Sequence, residues 1–144
     1  MYASIVVGTD GSTGAGKAVT HAATLAAQTG AHLHIGSAAP TMPIVATPYA
    51  VVPMDDWRQA SEQAVRSALE RGAALAEQAG ATVTTHALGG DPADALLSLC
   101  EEVDADLLVL GNRGMHGARR FFLGSVSSRC AHHADRSVLI VHTE

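Results

Sequence analysis

Leu107 to Ser127, L-L-V-L-G-N-R-G-M-H-G-A-R-R-F-F-L-G-S-V-S, is the stretch on which the reading of the chain turns. Leu107-Leu108-Val109-Leu110 is a short apolar run of the kind that forms a strand buried on both faces, and Ser125-Val126-Ser127 opens a helix. Between them lies a glycine-punctuated loop. Strand, glycine loop and helix start in that order make an anion site. Glycine lets the backbone approach a ligand, and the free N–H groups of a helix's first turn point at it with the positive end of the dipole. The hydroxyls of Ser125 and Ser127 can add hydrogen bonds, and Arg113, Arg119 and Arg120 bring three of the nine Lys/Arg close together. Arg119 and Arg120 read as a solvated loop.

Working outward, the same alternation extends over the chain. Ser4 to Gly8 is an apolar strand stopped by Thr9-Asp10-Gly11-Ser12, with Ser12 or Thr13 placed to cap a helix that carries Ala18, Ala22, Leu25 and Ala26 on one face and ends at Gly30. Ala31 to Ser37 alternates polar and apolar residues as a second strand. Pro40, Pro43, Pro48 and Pro53 then exclude regular structure, so Ala38 to Pro53 reads as a long loop flanking the site. Asp55 or Asp56 is placed to cap a helix to about Ala79, with Ala60, Ala64, Ala68, Leu69 and Leu75 inward and Arg71 among the outward charges. Ala81 to Leu88 is a third strand. Asp91 caps and Pro92 begins a helix that carries Ala95, Leu96, Leu99 and Cys100. After the strand Leu107 to Leu110 come a helix from about Ser125 to Ala134 and a last strand, Ser137 to His142. Strands alternating with helices give right-handed crossovers and a parallel sheet covered on both faces. The expected architecture is therefore a five-stranded, doubly wound, Rossmann-like α/β domain spanning residues 1–144. In such sheets ligands bind beyond the carboxyl ends of the strands where the winding reverses. Thr9 to Ser12 and Gly111 to Gly114 both follow strands, so one site can use both.

Composition narrows the function classes. A chain of 144 residues with 47% hydrophobic content is long enough to bury roughly two-thirds of its unfolded surface. The aromatics are Tyr2, Tyr49, Trp57, Phe121 and Phe122, and the net charge is −5; a nucleic-acid surface needs stacking platforms in a basic groove, so that partner is excluded. No apolar run approaches the ~20 residues of a membrane span, and the first residues carry no basic leader, so the expected location is the cytoplasm. Cys100 and Cys130 read as buried small hydrophobes. His32 and His34 share a strand face and His132 and His133 are neighbours, but neither pair is completed by ligands at metal-site spacing. Gly11 to Lys17 fits G-x-x-x-x-G-K, the core of a P-loop, yet Ala18 stands where a magnesium-ligating Ser or Thr is needed. No catalytic nucleophile or triad is evident.

Gly111, Gly114, Gly124 and Ser125 are spaced as G-x2-G-x9-G-[ST], and at these residues the chain resembles the universal stress proteins of the adenine-nucleotide-binding subgroup. Val7-Gly8-Thr9-Asp10-Gly11-Ser12 resembles that family's opening V-G-x-D-G-S, and Lys17-Ala18 its K-A in the first helix. Gly90-Asp91-Pro92 to Leu97, Ala105 to Gly111 and Ser137 to Val141 are similar to its later segments. The departures are Asn112 and Ser137, where Ser and Pro are usual, and Ser37-Ala38-Ala39, where the second strand usually ends in bulkier residues. The resemblance implies that Thr9, Asp10 and the backbone near Ser37 hold an adenosine. It implies also that Gly111, Arg113, Gly114, Gly124, Ser125, Val126 and Ser127 surround ribose and phosphates. The implied ligand is ATP, or AMP or cyclic AMP, with magnesium accompanying ATP, and the implied assembly is a homodimer through the last strand, whose apolar edge lacks a guarding Lys or Pro. The function expected is a regulatory stress-response module with at most slow hydrolysis. The alternatives are an ATPase or phosphotransferase completed by a partner, and an interaction module without nucleotide.

Overall fold

Ile5, Val6, Val7 and Gly8 are buried because the strand they form is paired along both edges and covered on both faces. In the computed structural model, which describes residues 1–39, 54–112 and 123–143, this strand is β1 (Ser4–Gly8). It is followed by α1 (Thr13–Thr29), β2 (His32–Ala38), α2 (Met54–Gln78), β3 (Thr82–Leu88), α3 (Pro92–Glu102), β4 (Leu107–Gly111), α4 (Ser125–His133) and β5 (Ser137–Val141). The strands lie in the order β3-β2-β1-β4-β5 and every neighbouring pair is parallel. The chain thus winds outward from β1 through β2 to β3, crosses back, and winds the other way through β4 to β5, as the alternation of elements led one to expect.

Side chains alternate across the strands, and the two faces have separate cores. Ile5, Val7, Leu33 and Ile35 pack with the alanine stripe of α1 (Ala18, Ala22, Ala26) and with Val65, Leu69 and Ala76 of α2. Val6, Leu108 and Leu110 pack with Ala93, Leu96, Leu99 and Cys100 of α3 and Cys130 of α4. Alanine on α1 keeps that helix close to the sheet. Glycine does the same for α3: Gly8 and Gly36 are register partners, and side chains there would meet Leu96 at 2.7 Å and 3.0 Å respectively. Leu96 occupies the hollow the two glycines leave. Both cysteines are free and buried, and burial pushes each thiol up to about 11, which leaves them inert at neutral pH.

The helix ends follow their residues. Ser12 Oγ accepts from Ala15 N at 3.1 Å as the cap of α1, and Gly30 closes it in the left-handed conformation at φ 77. Asp91 caps α3 through Asp94 N at 3.1 Å with Pro92 in the first turn, as expected. Two expectations are corrected. First, α2 starts at Met54, so Asp55 and Asp56 lie inside its first turn and neither is the cap. Acidic residues suit both places, so residue type does not separate them. Second, Ala60 and Ala64 are exposed, and the buried stripe of α2 is Val65, Ala68, Leu69 and Ala76. Alanine is tolerated on either side, whereas Val65 gains from burial and sets the rotation. On α3 the buried residues are Ala93, Leu96, Leu99 and Cys100. The loop expected over Ala38 to Pro53 lies outside the described residues except for Ala38 and Ala39.

On the outer part of the sheet, His34 Nδ1 and His86 Nε2 share a hydrogen bond of 2.9 Å between β2 and β3, and the His32 and His34 ring centroids are 4.6 Å apart. Burial, then the neighbouring His32 and His86 rings, holds the His34 imidazole below its ordinary value. The folded chain therefore binds this proton less readily than the unfolded one, so the contribution is present above the ordinary histidine value and is lost as pH falls through it.

Two outcomes follow from this packing. Gly36→Val forces Leu88, Leu96 and Leu99 off their positions and should lower unfolding free energy by about 1–3 kcal/mol in urea titration. The urea midpoint should fall as pH is lowered from about 7.5 to about 5.5, and a His34→Gln variant should show a flatter dependence.

Candidate functional site

Thr9 leaves β1 with its N–H donating to Gly36 O at 3.0 Å, so the first polar residue after the strand is still tied to β2. Its Oγ1 accepts from Gly11 N at 3.2 Å, and Asp10 Oδ1 accepts from Ser12 N at 2.9 Å. Asp10 therefore does build its own turn, the local role open to any aspartate there, while its side chain stays exposed at the carboxyl end of β1. Gly11 has φ 82, a left-handed conformation that favours glycine, and a side chain at this position would meet the Arg71 guanidinium of α2 at 2.6 Å. Arg71 thus reaches over the turn, a placement that its outward position on α2 did not signal.

At the end of β4 the chain is fastened more heavily. Asn112 N donates to Val141 O at 3.0 Å, and Gly124 N donates back to Asn112 O at 2.9 Å. The residues that leave and re-enter the glycine loop are thereby joined. Asn112 Oδ1 accepts from Thr143 N at 3.0 Å and from Thr143 Oγ1 at 2.7 Å, and Lys17 Nζ donates to Thr143 O at 2.9 Å. Gly124 is the N-cap of α4 and provides no side-chain cap; the first turn carries no acidic residue. Ser128 N returns to Gly124 O at 2.9 Å, but the N–H groups of Ser125, Val126 and Ser127 have no partner among the described residues. These are the orphan donors that a helix start offers to an anion. Their counterparts on α1 and α3 include one donor each already taken by Ser12 and Asp91.

Ser127 ties the helix start to the sheet. Its hydroxyl donates to Gly111 O at 2.6 Å and joins α4 to the end of β4. The carbonyl at the end of a buried strand needs a donor, and a hydroxyl in the third position of the helix supplies it. Ser125, the first residue of α4, is exposed. Ser37 is 3% exposed, near the end of β2, and its hydroxyl has no hydrogen bond among the described residues. Buried hydroxyls are usually paired, so this one marks a place where a partner fits. Arg113 and Gly114 lie outside the described residues, as do Arg119 and Arg120.

The strand order brings the ends of β2, β1 and β4 side by side, so Ser37, Thr9, Asp10, Gly111 and Gly124 lie along one edge. Two strand spacings, about 10 Å, separate the Ser37 end from the Gly111 end. A cleft of about 840 Å³ opens beside this edge between α1 and α2, lined by Thr9, Gly11, Ser12, Lys17, Arg71 and Leu75 among others. It shares Thr9 with the edge but is not lined by Gly111, Gly124 or Ser125. The P-loop pattern is resolved by helix position. Gly16 and Lys17 lie within α1, and Lys17 is directed to Thr143 O, whereas a P-loop keeps its glycines in the turn before the helix. Among the described residues no group of three or more His, Cys, Asp or Glu is placed to hold a metal, and no helix is long and apolar enough to cross a membrane.

A parallel, doubly wound sheet with polar groups gathered where the winding reverses, between β1 and β4, defines a Rossmann-like α/β protein. The chain belongs to the universal stress protein family, whose sequence model matches residues 1–142. It is 36% identical over 143 residues to universal stress protein Rv1636 of Mycobacterium tuberculosis, covering 99% of this chain and 97% of that protein. A universal stress protein crystallised in complex with cAMP is 37% identical, with a TM-score of 0.77 and 99% of each chain covered. The universal stress protein from Archaeoglobus fulgidus in complex with dAMP is 23% identical with a TM-score of 0.69, covering 96% of this chain and 97% of that one, and shows the common fold.

Proposed function

We propose that this chain is a single-domain, adenine-nucleotide-binding regulatory protein of the cytoplasm, with the phosphate on the first turn of α4 and the adenosine directed along the edge toward Thr9, Asp10 and Ser37. The observation that carries the reading is the uncapped start of α4, with three N–H groups and no acidic residue in the turn. The Ser37 hydroxyl at the other end of the edge, without a hydrogen bond among the described residues, supports it, and so does the 37% identical relative in complex with cAMP. Cyclic AMP, AMP and ATP all fit a backbone donor set of this kind, with magnesium entering only as the companion of ATP; Arg113 and Gly114 belong to the same proposed shell. Hydrolysis is proposed to be at most slow, because N–H donors stabilise phosphate charge but do not orient an attacking water.

Gly124 provides the test. Its φ of −57 and ψ of 157 are open to any residue, so the backbone itself does not demand glycine there. Gly124→Asp should fold with stability unchanged or raised by a few tenths of a kcal/mol, because aspartate is a favoured N-cap. The same carboxylate would occupy the donors and repel phosphate, so affinity for cyclic AMP, AMP and ATP should fall about tenfold or more, or about 1.4 kcal/mol, in calorimetry. Unchanged affinity for all three in the folded variant would remove the reading.

The assembly we propose is a homodimer through β5. This strand is an edge of the sheet, with Val138, Leu139 and Ile140 only partly buried. An edge of unpaired backbone groups with apolar side chains recruits another strand, and a second copy related by a two-fold axis closes the contact. Light scattering on a sizing column should give the mass of two chains; a single-chain mass that persists at high concentration refutes it.

A further inference from the structure

Asn112 holds an orientation that its partners dictate. Thr143 N is a donor only, so the side-chain atom facing it is the carbonyl oxygen Oδ1, and the Thr143 hydroxyl donates to that same atom at 2.7 Å. The planar amide then has its Nδ2 fixed as well, and Nδ2 has no hydrogen bond among the described residues. The main chain of Asn112 is no freer, with its N–H on Val141 O and its C=O receiving Gly124 N, the N-cap of α4. Asn112 is thus an oriented donor attached by one hydrogen bond to the residue that begins the anion-accepting helix turn. Thr143 in turn is 9% exposed and held from α1 by Lys17 at 2.9 Å.

We propose that Asn112 Nδ2 donates a hydrogen bond to a phosphate oxygen of the bound nucleotide, and that Thr143 is the positioning residue that aims it. The inference rests on the nucleotide reading above and adds to it one side-chain donor and its support. An unclamped asparagine would lose rotamer freedom on binding and would present oxygen or nitrogen with similar ease; two donors on Oδ1 remove both losses before the ligand arrives. Lys17, which the P-loop pattern would place on phosphate, acts here from behind, on the carbonyl of Thr143.

The test is a double-mutant cycle on the full chain, read by calorimetry with cyclic AMP and AMP and by thermal melting. Asn112→Ala should weaken binding about tenfold. Thr143→Val, which keeps the shape and removes one hydroxyl, should weaken it about fivefold, and Thr143→Ser should restore it. In the Asn112→Ala background, Thr143→Val should cost nothing further, because the group it positions is gone. Lys17→Met, placed on the exposed face of α1, should shift affinity in the same direction by less. Wild-type affinity in Thr143→Val overturns the positioning role. Additive losses in the cycle, or equal losses in Thr143→Val and Thr143→Ser that track a fall in melting temperature, overturn it as well by showing only a structural contribution. A wild-type chain that binds neither nucleotide overturns the nucleotide reading together with this inference, an outcome distinct from binding that ignores position 143.

Discussion

The whole arrangement depends on β1 being paired on both sides and covered on both faces. Its N–H and C=O groups are consumed by β2 and β4, and Ile5, Val6 and Val7 are wholly buried, so from Ile5 onward the strand carries no polar side chain until it leaves the sheet. Thr9, Asp10 and Ser12 follow at once, at the point where the winding reverses. The register of β1 with β2 also aligns Gly8 with Gly36, and the hollow they leave accepts Leu96. A side chain at either glycine would lift α3 from the sheet, and α4 is attached to α3, partly through Arg129 on Asp91 at 2.7 Å and Asp94 at 3.0 Å. Those ion pairs are half-exposed and contribute orientation more than stability.

The helix starts then divide into two kinds. α1 and α3 are capped by Ser12 and Asp91, side chains of the residue before the helix, whereas α4 begins at a glycine with nothing to donate or accept beyond its backbone. The difference is one of chemistry and of anchoring. A capped helix has part of its terminal charge neutralised, while the start of α4 keeps its donors and is held in place by the main-chain bond from Gly124 N to Asn112 O and by the Ser127 hydroxyl on Gly111 O. Fixing the donors before a ligand arrives removes an ordering cost from binding.

Much of this was legible in the residues. The apolar runs at 4–8 and 107–110, the caps Ser12 and Asp91, Pro92 and the terminating Gly30 each carry a local physical signal, and all were read at or close to their observed places. Elements whose signals are degenerate were read less well. Alanine did not reveal which face of α2 is buried, and acidic residues at 55 and 56 did not separate a cap from a first turn. At the site, the glycine spacing and the position after a strand pointed to α4. Nothing local pointed to Thr143 or to the inward reach of Arg71, because neither belongs to a motif and each acts on a residue distant in sequence.

The alternation of strands and helices, the two-faced burial of the central strands and the helix start after the glycine loop are encoded locally, since each follows from hydrophobic period and turn chemistry over a few neighbouring residues. Tertiary structure alone decided which of the polar groups meet. Ser127 was drawn to the carbonyl of Gly111, Lys17 to Thr143, Asn112 to Thr143 and Gly124, and the three histidines of β2 and β3 to one another. The reason is that a polar side chain accepts many partners of equal chemistry, and only the order of strands in the sheet brings one of them within about 3 Å.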